Sequence, residues 1–211
     1  MNQEKQIFED NFSVPHETIH SLSTYEKMLV EWNEKFNLVA ASTLPHIWSR
    51  HFLDSAQLMQ FIPDRAKILA DMGAGAGFPG LVLGIMAKGT QRDLTIHAIE
   101  STGKKADFLQ SVVDELRLNV VVRRARVENI RDLKADVITA RALKALPELL
   151  KYANYLIQKE TICLFPKGKN VAEELTQAQK YWTFDSEIHP SRSDDSGSVL
   201  VLTGLRYKSR R

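Results

Sequence analysis

The chain has 211 residues, of which 44% are hydrophobic and 26% charged, with a formal net charge of +2; this fits one compact domain plus an extension and excludes a polycation. Its longest apolar run falls well short of the roughly 20 residues that a membrane helix needs, and the opening Met-Asn-Gln-Glu-Lys-Gln lacks the basic-then-apolar pattern of a signal peptide. A single cysteine, Cys163, permits no internal disulfide and fits a reducing, cytoplasmic setting.

Residues 1–62 read as an N-terminal helical extension and 63–211 as the main domain. Leu22, Tyr25, Leu29 and Trp32 recur at helical spacing and define one apolar face. His16-Glu-Thr-Ile-His20 matches a zinc-protease pattern, but it opens a helix behind Pro15 and has no third ligand, so no metal site is expected. Phe52, Leu53, Ala56, Leu58, Met59 and Phe61 predict a further helix closed by Pro63. From Lys67 onward strands and helices alternate. Strands are predicted at 67–72, 94–100, 119–123, 135–140 and 160–165, and helices at 80–87, 102–117, 145–157 and 170–180. Such alternation gives a parallel sheet covered on both faces. Two more strands, about 183–189 and 198–204, flank the polar loop 190–198 and predict a closing antiparallel hairpin.

The most informative stretch is Asp71-Met-Gly73-Ala-Gly75-Ala-Gly77-Phe78-Pro-Gly80, directly after Ile68-Leu69-Ala70. A strand running through glycines into a helix lets a ligand approach bare backbone beside helix N–H groups. Gly75-x-Gly77-x-x-Gly80 fits a dinucleotide fingerprint, with Glu100 near the expected ribose carboxylate. Asp71-x-Gly73-x-Gly75-x-Gly77 instead resembles the first motif of class I methyltransferases that use S-adenosyl-L-methionine (SAM). There the loop passes the methionine part, and Glu100, ending strand 94–100, takes the ribose hydroxyls. The closing hairpin also favours the methyltransferase outline over an NAD-dependent oxidoreductase.

Cys163 lies inside an apolar strand with no basic neighbour and reads as core filler, which argues against a cysteine nucleophile. The fourth strand ends Thr139-Ala140-Arg141-Ala142, without the Asn-Pro-Pro-aromatic turn of many amine methyltransferases. An arginine there can hold a polar partner in bidentate fashion; the alternative is a surface ion pair. A guanine N7 carries a lone pair and no proton, so its methylation needs positioning and no general base. Basic residues cluster at Arg123, Arg124 and Arg126, at Lys167 and Lys169, and in the tail at Arg206, Lys208, Arg210 and Arg211. These suit a polyanion, while a solvated tail accounts for the last four equally well.

Several stretches together make the resemblance specific: Asn33-Glu-Lys-Phe-Asn37-Leu38, Arg50-His51-Phe-Leu-Asp54-Ser55, Asp71–Gly80, Glu100-Ser101-x-x-Lys104-Lys105 followed by Phe108-Leu109, Arg126-Val127-Glu128, and Thr139-Ala140-Arg141-Ala142. In this order the chain resembles the bacterial 16S ribosomal RNA guanine-N7 methyltransferases, the glucose-inhibited division protein B family. The resemblance implies an α/β, Rossmann-like class I SAM-dependent methyltransferase. It implies methyl transfer to N7 of a guanine, position 527, in 16S ribosomal RNA, within the 30S subunit or an assembly intermediate. It further implies SAM contacts at Gly73, Phe78, Val127, Glu128 and Arg141; Gly75 and Glu100 join them from the loop geometry and the wider superfamily. Arg141 is the candidate for positioning at the reacting centre, and Arg123, Arg124, Lys167, Lys169 and the tail are candidate RNA contacts. His51 and Asp54 have no derivable role, and pairing with each other or capping a helix fits as well as catalysis. Glu100 departs from the aspartate of many relatives, and the basic tail is short. A SAM enzyme acting on a small molecule and a non-catalytic ribosome-assembly factor are the alternatives.

Overall fold

The computed structural model describes residues 3–208. Helix α1 (Gln3–Asn11) is followed by the long amphipathic α2 (His16–Phe36). Asn37 ends α2 in the left-handed conformation, at φ 47°, as asparagine tolerates better than most side chains. The buried Asn33 side chain then accepts the Val39 N–H at 2.8 Å, fixing the exit of the chain.

The sequence predicts a regular helix ending at Pro63, and here the structure differs. The segment is an irregular helical run: a tight 3-10 stretch at Ala41–His46, a wide π turn at Trp48–Leu53, one turn of α-helix at Asp54–Ala56 (α3), and a second 3-10 stretch at Gln57–Phe61. A π turn admits an extra residue into the helix and re-aims the side chains that follow. Apolar spacing alone does not register that extra residue.

The sheet contains β1 (Ile68–Met72), β2 (Thr95–Ile99), β3 (Val120–Arg123), β4 (Val137–Thr139), β5 (Ile162–Lys167), β6 (Trp182–Pro190) and β7 (Ser198–Tyr207). Their order is β3-β2-β1-β4-β5-β7-β6. The first five are parallel, and β7 pairs antiparallel with both β5 and β6. The predicted strands and closing hairpin are thus present, with β4 shortened to three residues.

Helices α4 (Gly80–Gly89) and α5 (Gly103–Leu116) cover one face, and α6 (Leu146–Leu156) and α7 (Val171–Ala178) the other. Residues Gly80 through Ala87 of α4 are all buried, because α2 packs over it from outside. The segment before β1 shares one apolar core with that face: Leu22, Tyr25, Phe52 and Trp48 join Leu69, Leu81 and Phe108. Tyr25 carries this contact to the glycine loop, where its hydroxyl donates to the Ala76 carbonyl. Order reversal between β1 and β4 opens a crevice at the carboxyl ends of the strands, where α/β sheets place their ligands. No helix among the described residues is long and apolar enough to cross a membrane.

Candidate active site

The chain turns out of β1 through Gly73, Gly75 and Gly77, at φ 67°, 58° and 97°. Only glycine takes such values without strain. The loop is locked from beneath by Asp71, which is fully buried. One of its carboxylate oxygens accepts the Gly80 N–H at the start of α4, at 2.9 Å, and the other accepts the Thr139 hydroxyl of β4, at 2.8 Å. Burial pushes the Asp71 carboxyl up to about 6, against the pull of the Thr139 and Gly80 hydrogen bonds.

This shift has a thermodynamic consequence. Between the unfolded value of 3.8 and about 6 the folded chain keeps a proton that the unfolded chain has released. Asp71 therefore contributes most below the unfolded value, and that contribution is lost as pH rises through about 6. The full span is on the order of 3 kcal/mol. Asp71→Asn can keep both hydrogen bonds, its oxygen facing Gly80 and its amide facing Thr139. Urea unfolding from pH 4 to 7 is expected to show the wild type losing stability relative to this variant as pH rises. Parallel stability curves would mean that Asp71 titrates normally.

A cavity of about 510 Å³ opens above the loop, at the ends of β1, β2 and β3. Gly73, Gly75, Glu100, Val127, Glu128 and Arg141 all line it. Glu100 is 7% exposed; one carboxylate oxygen accepts the Gly75 N–H at 2.9 Å and the other the Thr102 N–H at 2.7 Å. Each oxygen keeps a second lone pair, so the carboxylate can still accept from a vicinal diol. Val127 and Glu128 sit on a short 3-10 turn beyond β3, with Val127 buried and Glu128 facing Arg126 at 3.8 Å. A Cβ on Gly73 would stand 2.6 Å from Leu143, whereas Gly75 has nothing closer than 3.7 Å. The cradle therefore admits backbone contact and fits the adenosyl cofactor implied by the sequence. Phe78 stands one layer back, outside the lining, with its ring against His51 and Arg141. Lys105, Leu143 and Tyr152 also line the cavity; Lys105 belongs to a quoted motif, but nothing local marks Leu143 or Tyr152.

Arg141 is held on four sides. Its guanidinium donates to His51 Nδ1 at 2.8 Å, to Asp54 at 3.3 Å and to the Arg50 carbonyl at 3.1 Å, and it lies 4.8 Å over the Phe78 ring. The His51 ring stacks on Phe78 at 4.6 Å. Because the guanidinium only donates, His51 Nδ1 is a bare acceptor, and Nε2–H faces the Thr43 hydroxyl at 3.0 Å. Burial, then the charges of Arg141 and Arg50, lowers the imidazole to about 3, so His51 is neutral. Asp54 uses its other oxygen to accept from Ser193 at 2.7 Å and Gln57 at 3.0 Å. His51 and Asp54 thus do not bond each other; both orient Arg141. With side-chain exposures of 17% and 15%, the Arg141–Asp54 pair is not a solvated surface contact.

A second cavity, of about 560 Å³, lies on the other side of Arg141. Arg50 and Asp54 line it from the irregular run, Lys167 and Gly168 from the end of β5, and Ser191, Ser193, Asp194 and Ser198 from the hairpin loop. The two cavities share Arg141, Ala142, Leu143 and Lys144. Ala142 takes φ 51° in this dividing segment.

The basic residues are distributed unequally around these cavities. Arg123 pairs with Asp132 at 3.0 Å, and Arg124 with Asp107 at 3.6 Å, both near the end of β3. Lys167 has only 9% of its side chain exposed and bonds Glu174 at 2.8 Å, so it faces the second cavity. Lys169 is exposed in the next loop. Arg206 and Lys208 lie at the far end of β7, on the order of 25 Å along the strand from Ser198. Arg210 and Arg211 lie outside the described residues. Arg50 and Lys144, which line the second cavity, carry no sequence signal that singles them out as RNA contacts. Cys163 is buried, its thiol pushed up to about 12. His16 and His20 are exposed, and among the described residues no three metal-ligating side chains come together.

Residues 18–195 match the GidB family, rRNA small subunit methyltransferase G. The chain is 44% identical over 198 residues to ribosomal RNA small subunit methyltransferase G of Rhodospirillum centenum, covering 94% of this chain and 89% of that one. Against the protein of the same name from Caulobacter sp. (strain K31), identity is 45% over 185 residues, 88% of this chain and 82% of that one. Solved structures similar in fold include M. jannaschii TYW2 in complex with AdoMet, with a TM-score of 0.55 at 18% identity over 77% of this chain and 78% of that one. A putative S-adenosyl-L-methionine-dependent methyltransferase from Methanococcus maripaludis gives 0.57 at 11% identity over 76% and 87%.

Proposed function

Because the chain belongs to the rRNA small subunit methyltransferase G family of SAM-dependent enzymes, we propose that it methylates N7 of a guanine in 16S ribosomal RNA, at the position 527 that the family resemblance implies. The observation that carries this reading is the pair of cavities divided by one four-residue segment, with Arg141 in both walls.

In this reading the 510 Å³ cavity holds SAM, whose sulfonium supplies the methyl group. Glu100 accepts from the ribose hydroxyls, Gly73 and Gly75 let the methionine part approach the backbone, and Val127 and Glu128 border the adenine. The target base enters the second cavity. Arg141 fixes polar atoms at the junction, and its own position is set by His51, Asp54 and the Phe78 ring. Neither His51 nor Asp54 serves as a base, since both are committed to Arg141; N7 needs none. Catalysis here is proximity and orientation in a water-poor site.

Arg50 and Lys144 at the second cavity, Lys169 exposed in the loop after β5, and Arg123 and Arg124 beyond the cofactor form the phosphate-binding rim. Arg206 and Lys208 face a separate region of the substrate, because they sit at the opposite end of the sheet. A partner large enough to reach both is the 30S subunit or an assembly intermediate, in the cytoplasm.

The deciding experiment incubates the purified protein and labelled SAM with small-subunit particles from a strain lacking the gene. Borohydride and aniline cleavage then maps N7-methylguanine in the 16S RNA. A single new cleavage at the target guanine, with binding that weakens steeply with salt, is expected. Methyl transfer to a small molecule alone, or particle binding without transfer, would replace this reading by one of its alternatives.

A further inference from the structure

Asp54 meets Arg141 with one carboxylate oxygen, and its other oxygen belongs to a closed ring of hydrogen bonds. The ring runs from Gln57 to Ser191 at 3.2 Å, from Ser191 to Ser193 at 2.9 Å, from Ser193 to Asp54 at 2.7 Å, and from Asp54 back to Gln57 at 3.0 Å. The proton directions follow from the partners. A carboxylate only accepts, so the Ser193 hydroxyl and the Gln57 amide nitrogen both donate to Asp54. With its proton spent there, Ser193 accepts from Ser191, and Ser191 accepts from Gln57. The Gln57 nitrogen also reaches the Asp54 carbonyl at 3.1 Å, and the Gln57 oxygen accepts the Arg192 N–H at 2.8 Å.

Gln57 is 1% exposed and lines neither cavity. Its neighbour Leu58 is buried just as deeply with no polar group to satisfy, so burial at this turn does not by itself call for a carboxamide. A buried amide must have its hydrogen bonds met. Those of Gln57 go to two places, Asp54 and residues 191–192 of the hairpin loop. Ser191 and Ser193 line the second cavity. One side chain thus ties the hairpin wall of that cavity to the carboxylate that orients Arg141, across 134 positions of the chain. If Asp54 turns away, the guanidinium keeps His51 and the Arg50 carbonyl but loses its charged partner. Small misplacements at a reacting centre are costly in rate.

Resting on the reading of the two cavities given above, we propose that Gln57 is a positioning residue for methyl transfer: its carboxamide joins Asp54 to the hairpin loop, so that the substrate-side wall and Arg141 are set as one unit.

The test measures single-turnover methyl transfer to small-subunit particles with both substrates saturating. Gln57→Met has similar length and no amide; it is expected to lower the rate by about tenfold. Calorimetric binding of S-adenosylhomocysteine should be largely unchanged, which also shows an intact fold. The deciding comparison repeats the substitution in Arg141→Lys, where the fork that Asp54 orients is gone. There it should cost less than about twofold, whereas a merely structural role would cost the same in both backgrounds. Ser193→Ala breaks the ring from the loop side and is measured in the same two backgrounds. It should show the same pattern, and combining it with Gln57→Met should cost no more than Gln57→Met alone. A wild-type rate in Gln57→Met, an equal loss in the two Arg141 backgrounds, or additive losses in the double variant overturns the proposal. Should Gln57→Met not fold, a wild-type rate in Ser193→Ala, or an equal loss in both backgrounds, overturns it instead. Failure of the underlying reading looks different: the wild type itself would transfer no methyl group to N7 of a guanine in the particle.

Discussion

Arg141→Ala is expected to lower single-turnover methyl transfer by roughly 100- to 1000-fold with both substrates saturating, the usual cost of removing a preorganised donor from a reacting centre. The site offers no substitute. His51 and Asp54 both face the guanidinium, and without it His51 Nδ1 and one Asp54 oxygen lose their donor. The same deletion should destabilise the fold by about 2 kcal/mol, because two largely buried acceptors are left unmatched. Arg141→Lys separates these effects. An ammonium restores charge, but it lacks the planar fork that spans His51, Asp54 and the Arg50 carbonyl over the Phe78 ring. It should recover stability better than activity. Single-turnover transfer at several salt concentrations and thermal unfolding measure both. Full activity of Arg141→Ala at saturation would reduce the residue to a structural ion pair.

The second large effect is expected at Gly73. Gly73→Val should weaken S-adenosylhomocysteine binding by at least about 100-fold, because its new Cβ would stand 2.6 Å from the Leu143 side chain, which also lines the cavity, and the two groups together crowd the ligand's space. Its φ of 67° adds a strain of about 1–2 kcal/mol that lowers stability rather than affinity. Gly75→Ala is the control: its φ of 58° is just as unfavourable, but the space beside it is open. It should lose stability and retain most of its binding. Titration calorimetry with S-adenosylhomocysteine and with NAD checks both points. NAD binding more tightly than the SAM-derived ligand would reverse the cofactor assignment.

Much of this was legible in the chain because its signals are local. Alternating apolar runs and punctuating glycines place β1 through β5 and their helices within about two residues. Asp71 to Gly77, then Glu100, point to one crevice, and Gly73, Gly75 and Glu100 do line a single cavity, since each lies at a strand end and strand ends are readable. What was not legible depends on distance along the chain. Asp54 and Ser193 are 139 residues apart, and no local pattern joins them. The π turn that presents Arg50, His51 and Asp54 looks like ordinary helix to a periodicity argument. Lys167 reads as a candidate RNA contact, and only the structure shows that it is largely buried and paired with Glu174. Phe78 reads as a wall of the cofactor site; its ring instead supports Arg141 and His51 from behind.

The position of β7 has a consequence for how the molecule is made. The latest of the described strands in the chain, β7, lies inside the sheet, between β5 and β6, and not at its margin. Until residues 198–207 leave the ribosome, β5 presents an open apolar edge, with Leu164 and Phe165 lacking the neighbours they pair with across β7. A chain cut short after α7 contains every lining residue of the 510 Å³ cavity but none of the hairpin wall of the second. Termination before residue 198 therefore removes the hairpin wall of the second cavity and leaves an exposed strand edge prone to self-association.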